Sequence, residues 1–460
     1  MLTFIAIILG LLIIFVEIVR QKNHQLMDFF SFLSFIYFIV FVACPIMIDY
    51  MIYTDLPHSQ FGWLMINTLG RFSLVYGELF ALIGYLLLFF GYSGSGSMVA
   101  AVCGETPRTN TASRASLDRR FSQSGLLWVG LLLGLIGGAA LIIYTIELGG
   151  PIQMIKYAGA LRSGDAPVET PFAFLKNVSS LIFAASFVFY AMWKDFKGEQ
   201  RHWLYSGLFM ITFLLSMFLL FHMAGRLRFF SYIMIFPVAG MMIKGRLKVK
   251  TMVFGAVLSL LVVLFGKQVS HILVDPNTLS RKMDLIGSEN HSVLASIMGE
   301  FAFPLATIAN TVCYAVPHQI PYRFFIDFPL AIAYLVPKRL FNVTLPATAN
   351  SLNGEQFGGP IPIDLISLGY FSAGGIGVVV LLLLFGACLR LADRLFENQN
   401  ETVLEVFRVA WMFFLGFRIM YGDPVNSLKV GFYLVVGTGL LLFVGRRNRQ
   451  GDELVVSRVV

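Results

Sequence analysis

Charge is what this sequence has least of. Asp, Glu, Lys and Arg make up 13% of its 460 residues, where a soluble domain carries about 25%. Cysteine is scarce as well: Cys44, Cys103, Cys313 and Cys388 stand far apart, with no CxxC pair and no His/Cys cluster. That spacing excludes a disulfide framework and argues against a metal centre. No Walker A loop, GxGxxG turn, HExxH helix or Ser/His/Asp constellation is present, so the common nucleotide, zinc-hydrolase and triad chemistries have no foothold. The first apolar run has neither a basic n-region nor an A-x-A cleavage site and reads as a retained span. Short alternating segments are missing too, which excludes a transmembrane β-barrel.

What remains is apolar. Hydrophobic residues are 57% of the chain, and its mean hydropathy is +0.77. Runs of about 18 or more apolar residues, enough to cross a bilayer, recur along most of it. The fold class expected is therefore an all-α polytopic integral membrane protein. Spans are expected near 2–19, 27–49, 73–92, 125–147, 173–193, 203–222, 229–243, 251–268, 366–388, 402–420 and 428–444. Every second connection is basic: Arg20 and Lys22; Arg108, Arg114, Arg119 and Arg120; Lys194, Lys197 and Arg201; Lys244, Arg246, Lys248 and Lys250; Arg390 and Arg394; Arg446, Arg447 and Arg449. The positive-inside rule assigns these to the cytoplasm. The net charge of +8 then reports orientation rather than nucleic-acid binding.

The count is eleven spans with the N-terminus outside, or twelve if His291–Val316 crosses; the alternation favours keeping that run outside and partly embedded. The chain divides into an N-terminal bundle (1–268), a partly helical extracytoplasmic loop (269–365) and C-terminal helices with a basic tail (366–460). The start of 61–92, with Trp63 and Arg71, is expected along the outer interface, with Glu78 as the structural partner of Arg71.

The positive-inside bias should strip arginines from the outer side, yet Arg162, Arg226, Arg228, Arg281, Lys282, Arg323, Lys338, Arg339 and Arg418 all face it in this reading. A guanidinium stays charged and pairs bidentately with phosphate, so a cationic outer face beside lipid points to an anionic headgroup. Bland roles stand beside this one. Arg226 and Arg228, in "FHMAGRLRFFSY", can cap a helical hairpin and snorkel. Lys338–Arg339 can anchor at the interface, and Arg418 can pair with Asp423. Glu300 in "MGEFAFP" is either paired with one of these cations or poised for chemistry.

Four segments in order carry a family resemblance: "GRLRFF", "MGEFAFPLATIAN", "LVPKRLFNVTLPATANSLNGE" and "IPIDLISLGYFSAGGIGVV". Together they resemble the Wzy-type oligosaccharide repeat-unit polymerases that make O-antigen and related surface polysaccharides. Where that family carries an Arg-x10-Gly spacing, Arg162 is followed by Ala173 and Arg339 by Asn350. The resemblance implies a glycosyltransferase in the bacterial inner membrane with its active face periplasmic. Donor and acceptor would both be oligosaccharides on polyprenyl diphosphate, and a chain-length regulator is an implied partner. In such a reaction Arg226 would stabilise the diphosphate leaving group. Arg228, Lys338, Arg339, Arg418, Arg323 and Arg162 would help to bind it, and Glu300 or Glu355 would accept the acceptor's proton. The chain has no acidic cluster suited to Mg²⁺, so a metal-independent reaction without a cofactor is expected. A flippase for the same lipid-linked glycan and an O-antigen ligase-like transferase are the competing classes.

Overall fold

The computed structural model describes residues 1–21, 27–53, 69–96, 121–157, 172, 174–198, 200–223, 225–244, 293–315, 321–335, 345–357, 361–396 and 401–459. Among them every regular element is helical. In chain order these are α1 (Leu2–Gln21), α2 (Phe29–Phe38), α3 (Cys44–Tyr53), α4 (Gly70–Gly94), α5 (Gln123–Glu147), α6 (Pro151–Lys156), α7 (Leu175–Ser179) and α8 (Leu181–Asp195). There follow α9 (His202–Met223), α10 (Arg226–Lys244), α11 (Val293–Asn310), α12 (Asp327–Ala333), α13 (Ala349–Gln356), α14 (Leu365–Phe396), α15 (Thr402–Gly416) and α16 (Pro424–Val459).

Eight stretches among the described residues are long and apolar enough to span a bilayer: Leu2–Arg20, Phe29–Tyr50, Gly70–Gly94, Gln123–Glu147, Leu175–Asp195, His202–Met223, Leu365–Phe396 and Pro424–Gly445. The protein is membrane-embedded and all-helical. Leu227–Ile243 is a shorter apolar helix, and α15 with its 3₁₀ turn Phe417–Ile419 occupies most of the stretch expected at 402–420. The stretch expected at 251–268 lies outside the described residues.

The chain forms two compact units. One comprises Met1–Thr106, Ser280–Glu397 and Met412–Leu428; the other comprises Pro107–Leu279, Asn398–Trp411 and Lys429–Val460. In the first unit, α1 turns Ile5, Ala6, Leu9 and Ile13 inward and leaves Phe4, Leu11, Phe15 and Ile18 exposed. In water the exposed stripe would be an unpartnered apolar patch; in a bilayer it is the lipid-facing surface. One end of this unit is tied by a polar network. Arg20 pairs with Glu17 at 3.0 Å and with Asp28. The Tyr92 hydroxyl donates to Asp393 at 2.7 Å, and Arg390 donates to Tyr92 at 3.2 Å. Asp393 also accepts the Phe29 amide at 3.1 Å. The C-terminal ends of α1, α4 and α14 and the start of α2 therefore meet at one end.

Residues 293–315, read from the sequence as an outer run, pack along α4. Ala302, Leu305, Ala306 and Ala309 of α11 join Leu2, Ile5, Ile48, Leu74 and Val75 in one apolar cluster. At its far end the Tyr314 hydroxyl donates to the Leu69 carbonyl at 3.2 Å.

The second unit is built around α8, buried at every position from Leu181 to Met192. Phe187 stacks on Tyr232 and meets Phe407 edge-on with centroids 5.7 Å apart. Ser186 bonds the Tyr232 hydroxyl at 2.7 Å, so a polar tip on an otherwise apolar helix is satisfied.

Candidate functional site

The stretch Leu365–Phe396 is two helices rather than one. Ala373 (φ −157°, ψ 37°) and Gly374 (φ 61°, ψ −145°) break the helical path. Beyond them the chain runs back on itself. In a continuous helix, residues eight apart are about 12 Å apart; here a Cβ placed on Gly377 would lie 2.1 Å from the Gly369 carbonyl oxygen. Ile366 and Leu382, sixteen positions apart, both touch the same point on α4 at Gly84. The expected span at 366–388 is thus corrected: residues 365–372 are a short helix folded against the following one, and the uninterrupted helix starts at 375. The reversal needs a residue that tolerates positive φ with extended ψ, a region open to glycine alone.

Asp364 starts the short helix. Its carboxylate accepts the Ser367 amide at 2.9 Å and the Ser367 hydroxyl, a standard N-cap. The group is fully buried, and burial pushes the Asp364 carboxyl up to about 7 although both Ser367 donors favour its anion. A carboxyl raised in the folded state from about 4 unfolded adds stability that is complete below that value and is lost as pH rises through the folded value, at about 1.4 kcal/mol per unit. Between about pH 4 and pH 7 the protein is expected to lose stability relative to Asp364→Asn, which keeps the capping oxygen without titrating. Thermal unfolding of both proteins across that window checks it.

An interlocked cap closes the tip of the hairpin. The Arg323 and Phe324 amides donate to the Phe371 and Ser372 carbonyls at 2.9 and 2.8 Å, satisfying the open end of the short helix. Phe324 and Phe325 hold positive φ, 47° and 60°, a rare state for aromatic residues. The Arg323 guanidinium grips Asp327 with two bonds, 2.7 and 3.0 Å, and reaches the Ala347 carbonyl at 2.7 Å. Asp327 is fully buried and also accepts the Ala349 amide at 2.9 Å, at the start of α13. Asn350 accepts the Ile363 amide, and Asn353 donates to the Ile361 carbonyl, each at 3.0 Å. The Tyr334 hydroxyl donates to the Pro346 carbonyl at 3.1 Å. Three strips of chain, 321–335, 345–357 and 361–374, are thereby locked together.

Two buried carboxylates lie beneath. Besides Asp364 there is Glu78, fully buried in α4, with neither oxygen bonded among the described residues. The expected Glu78–Arg71 partnership does not form. Seven residues separate the two by about 10 Å along the helix, and Arg71 stands exposed in the first turn.

The other expected site residues are distributed as follows. Arg323 lies in the cap with its fork engaged by Asp327. Glu355 is exposed on α13. Arg418 is half-buried in the 3₁₀ turn after α15, donates to Ser427 at 3.0 Å and to the Phe414 carbonyl at 3.2 Å, and stacks over Phe414. The neighbouring Asp423 accepts the Val425 and Asn426 amides and so caps α16. Arg226 opens α10 and Glu300 lies within α11, but their side chains are outside the described residues, as are Lys338, Arg339 and Arg162 altogether. Arg228 is exposed on α10, two positions from Arg226 and therefore about 200° around the helix.

In the second unit Arg228 has company that the sequence reading passed over. The Lys176 ammonium lies within electrostatic reach of Arg228, and His222 within reach of Lys176. His222 bonds the Met154 carbonyl at 2.8 Å and the Tyr144 hydroxyl at 3.2 Å. The "PIDLIS" stretch carried a legible N-cap signal for Asp364; nothing in the sequence marked Asp327 or Lys176.

The fold and site define a membrane-embedded helical protein with a folded-back hairpin whose tip is covered by a hydrogen-bonded cap. No family model, curated protein or solved structure matches the chain.

Proposed function

We propose that this protein is a metal-independent glycosyltransferase that polymerises oligosaccharide repeat units carried on polyprenyl diphosphate, acting at the periplasmic face of a bacterial inner membrane. The acceptor hydroxyl oxygen bonds to the donor's anomeric carbon as the bond from that carbon to the diphosphate breaks. The diphosphate leaves with the electron pair, and the hydroxyl proton passes to a carboxylate. Arg226 stabilises the growing charge, with Arg228, Lys338, Arg339, Arg418 and Arg162 as the wider cationic set, Arg323 being engaged by Asp327; Glu300 or Glu355 takes the proton. A chain-length regulator fits as a partner.

The observation that carries this reading is the cap. Three of the four segments on which the polymerase resemblance rests fall in the first unit, and the Tyr334–Pro346 and Arg323–Ala347 bonds tie together the two ends of the stretch bearing Lys338 and Arg339. A basic pair carried between two tied ends suits a bulky diphosphate donor better than one carried on free ends does.

Purified protein in lipid vesicles supplied with lipid-linked repeat units is expected to produce a ladder of longer glycans. Arg226→Ala is expected to lower the rate about 10²–10³-fold, the cost of losing one preorganised donor to developing charge, with protein levels unchanged. Transfer to a different lipid selects the ligase. The flippase has its own support in two buried carboxylates beside a broken helix, a pattern of ion-coupled transporters. Unchanged glycan length with movement of substrate across the vesicle membrane selects it.

A further inference from the structure

We propose that Glu78 is a proton-exchange site, loaded through a ladder of hydroxyl groups that runs between α2 and α4 from the polar network around Arg20. The ladder follows from register. On α4, Glu78, Tyr85 and Tyr92 recur every seventh residue, so they share one face, and all three are buried. On α2, Ser31, Ser34 and Tyr37 recur every third residue, and Ser34 and Tyr37 reach α4. Ser31 donates to Glu17 of the end network at 2.6 Å. Ser34 bonds the Tyr85 hydroxyl at 3.0 Å. Tyr37 donates to the Ala81 carbonyl at 2.5 Å, one turn from Glu78. Tyr92 bonds Asp28 and Asp393 within the network itself.

Glu78 ends this series with both oxygens buried and unbonded among the described residues. A carboxylate in that position is costly as an anion unless a cation or a proton accompanies it. Among the described residues no Lys, Arg or His pairs with it. Tyr37 and Cys44 feel its charge, and they flank the π-helical turn Ile39–Ala43, a distortion common at functional positions. Of the other titratable groups on elements packed against α4, Asp364 and Tyr370 are on the hairpin, Cys313 and Tyr314 follow α11, and Cys388, Arg390, Asp393 and Arg394 lie toward the far end of α14, where Arg390 and Asp393 bond Tyr92. Glu17 and Arg20 lie at the far end of α1. Glu300, also on α11, has its side chain outside the described residues. None of the described groups supplies a cation at Glu78, and a proton is the counter-charge that needs no cavity.

Infrared difference spectroscopy on the full-length protein in lipid vesicles tests this. The expected result is a carbonyl band of un-ionised Glu78, beside that of Asp364, that disappears reversibly between mildly acidic and alkaline buffer. The band is expected to survive in Asp364→Asn and to be lost in Glu78→Gln. Its hydrogen–deuterium exchange is expected to slow several-fold in the Ser34→Ala/Tyr85→Phe variant. If Glu78→Gln does not insert, carbodiimide labelling of the wild-type protein, located by peptide mass spectrometry, makes the same assignment. A band unchanged across pH identifies a permanently neutral structural acid. No band at any pH in Asp364→Asn, or protection of the labelled carboxyl by sodium ions at constant pH, identifies a cation-held carboxylate. Exchange indifferent to the ladder variant removes the ladder. Each of these results overturns the proposal.

Discussion

Asp327→Ala is expected to release the cap. The substitution removes a fully buried carboxylate that binds the Arg323 guanidinium twice and caps the Ala349 amide. Arg323 would then be left half-buried and charged, with only the Ala347 carbonyl opposite it. Removing one partner of a buried pair costs about 3–5 kcal/mol, because the remaining charge is stranded. The bonds that Asp327 makes all lie within the cap, so the loss is expected to be local. Limited proteolysis should cut the stretch between 335 and 345 much faster in Asp327→Ala than in the wild type. Polymer formation should fall with it if Lys338 and Arg339 grip substrate. Equal cleavage rates would show that the Tyr334–Pro346 bond alone holds the cap. Arg323→Lys is an informative companion: a lysine keeps the charge but cannot reproduce the two-point grip, and it is expected to fall between the two.

Gly374→Ala is expected to open the hairpin. At φ 61° and ψ −145° a side chain is strained whatever space surrounds it, by about 1–3 kcal/mol. Here space is short as well, since the new Cβ would meet the Tyr322 hydroxyl at 3.0 Å. The chain can escape both penalties by letting 365–372 continue the following helix, which withdraws Asp364 from its buried cap. A cysteine pair placed at Ile366 and Leu382 reads this directly. Both touch Gly84 in the folded hairpin, so crosslinking is expected in an otherwise wild-type background and is expected to drop sharply once Gly374 is replaced. Crosslinking that survives would mean that the reversal is held by the cap bonds to Phe371 and Ser372 rather than by the glycine.

The helical, membrane-embedded character and the approximate positions of most described spans were legible in one dimension. Hydropathy sums over neighbours in the chain, and a bilayer imposes the same length on every crossing. The N-cap at Asp364 also acts over only three residues, yet the pattern of spans did not anticipate it. The mismatches fall where the deciding contact joins distant positions. One positive-φ glycine in an apolar run leaves the hydropathy of 366–388 unchanged while reversing the direction of the chain. Glu78 and Arg71, close in sequence, lie nearly two turns apart on α4, whereas Tyr37, forty-one positions away, feels the Glu78 charge, as does Cys44.

Arg323 makes the same point for the site. Its residue type announced an anion, and the anion it holds in the fold is Asp327, four residues on. Composition and periodicity by themselves determined a bundle of apolar helices in lipid, because only helices and closed barrels bond all of their backbone there and the sequence lacks a barrel's alternating segments. Which of its scarce charges are neutralised from within and which are left open was decided only when the tertiary structure brought α2, α4 and the hairpin together, since the energy of a buried charge depends on what lies within a few ångströms and not on what lies next in the chain.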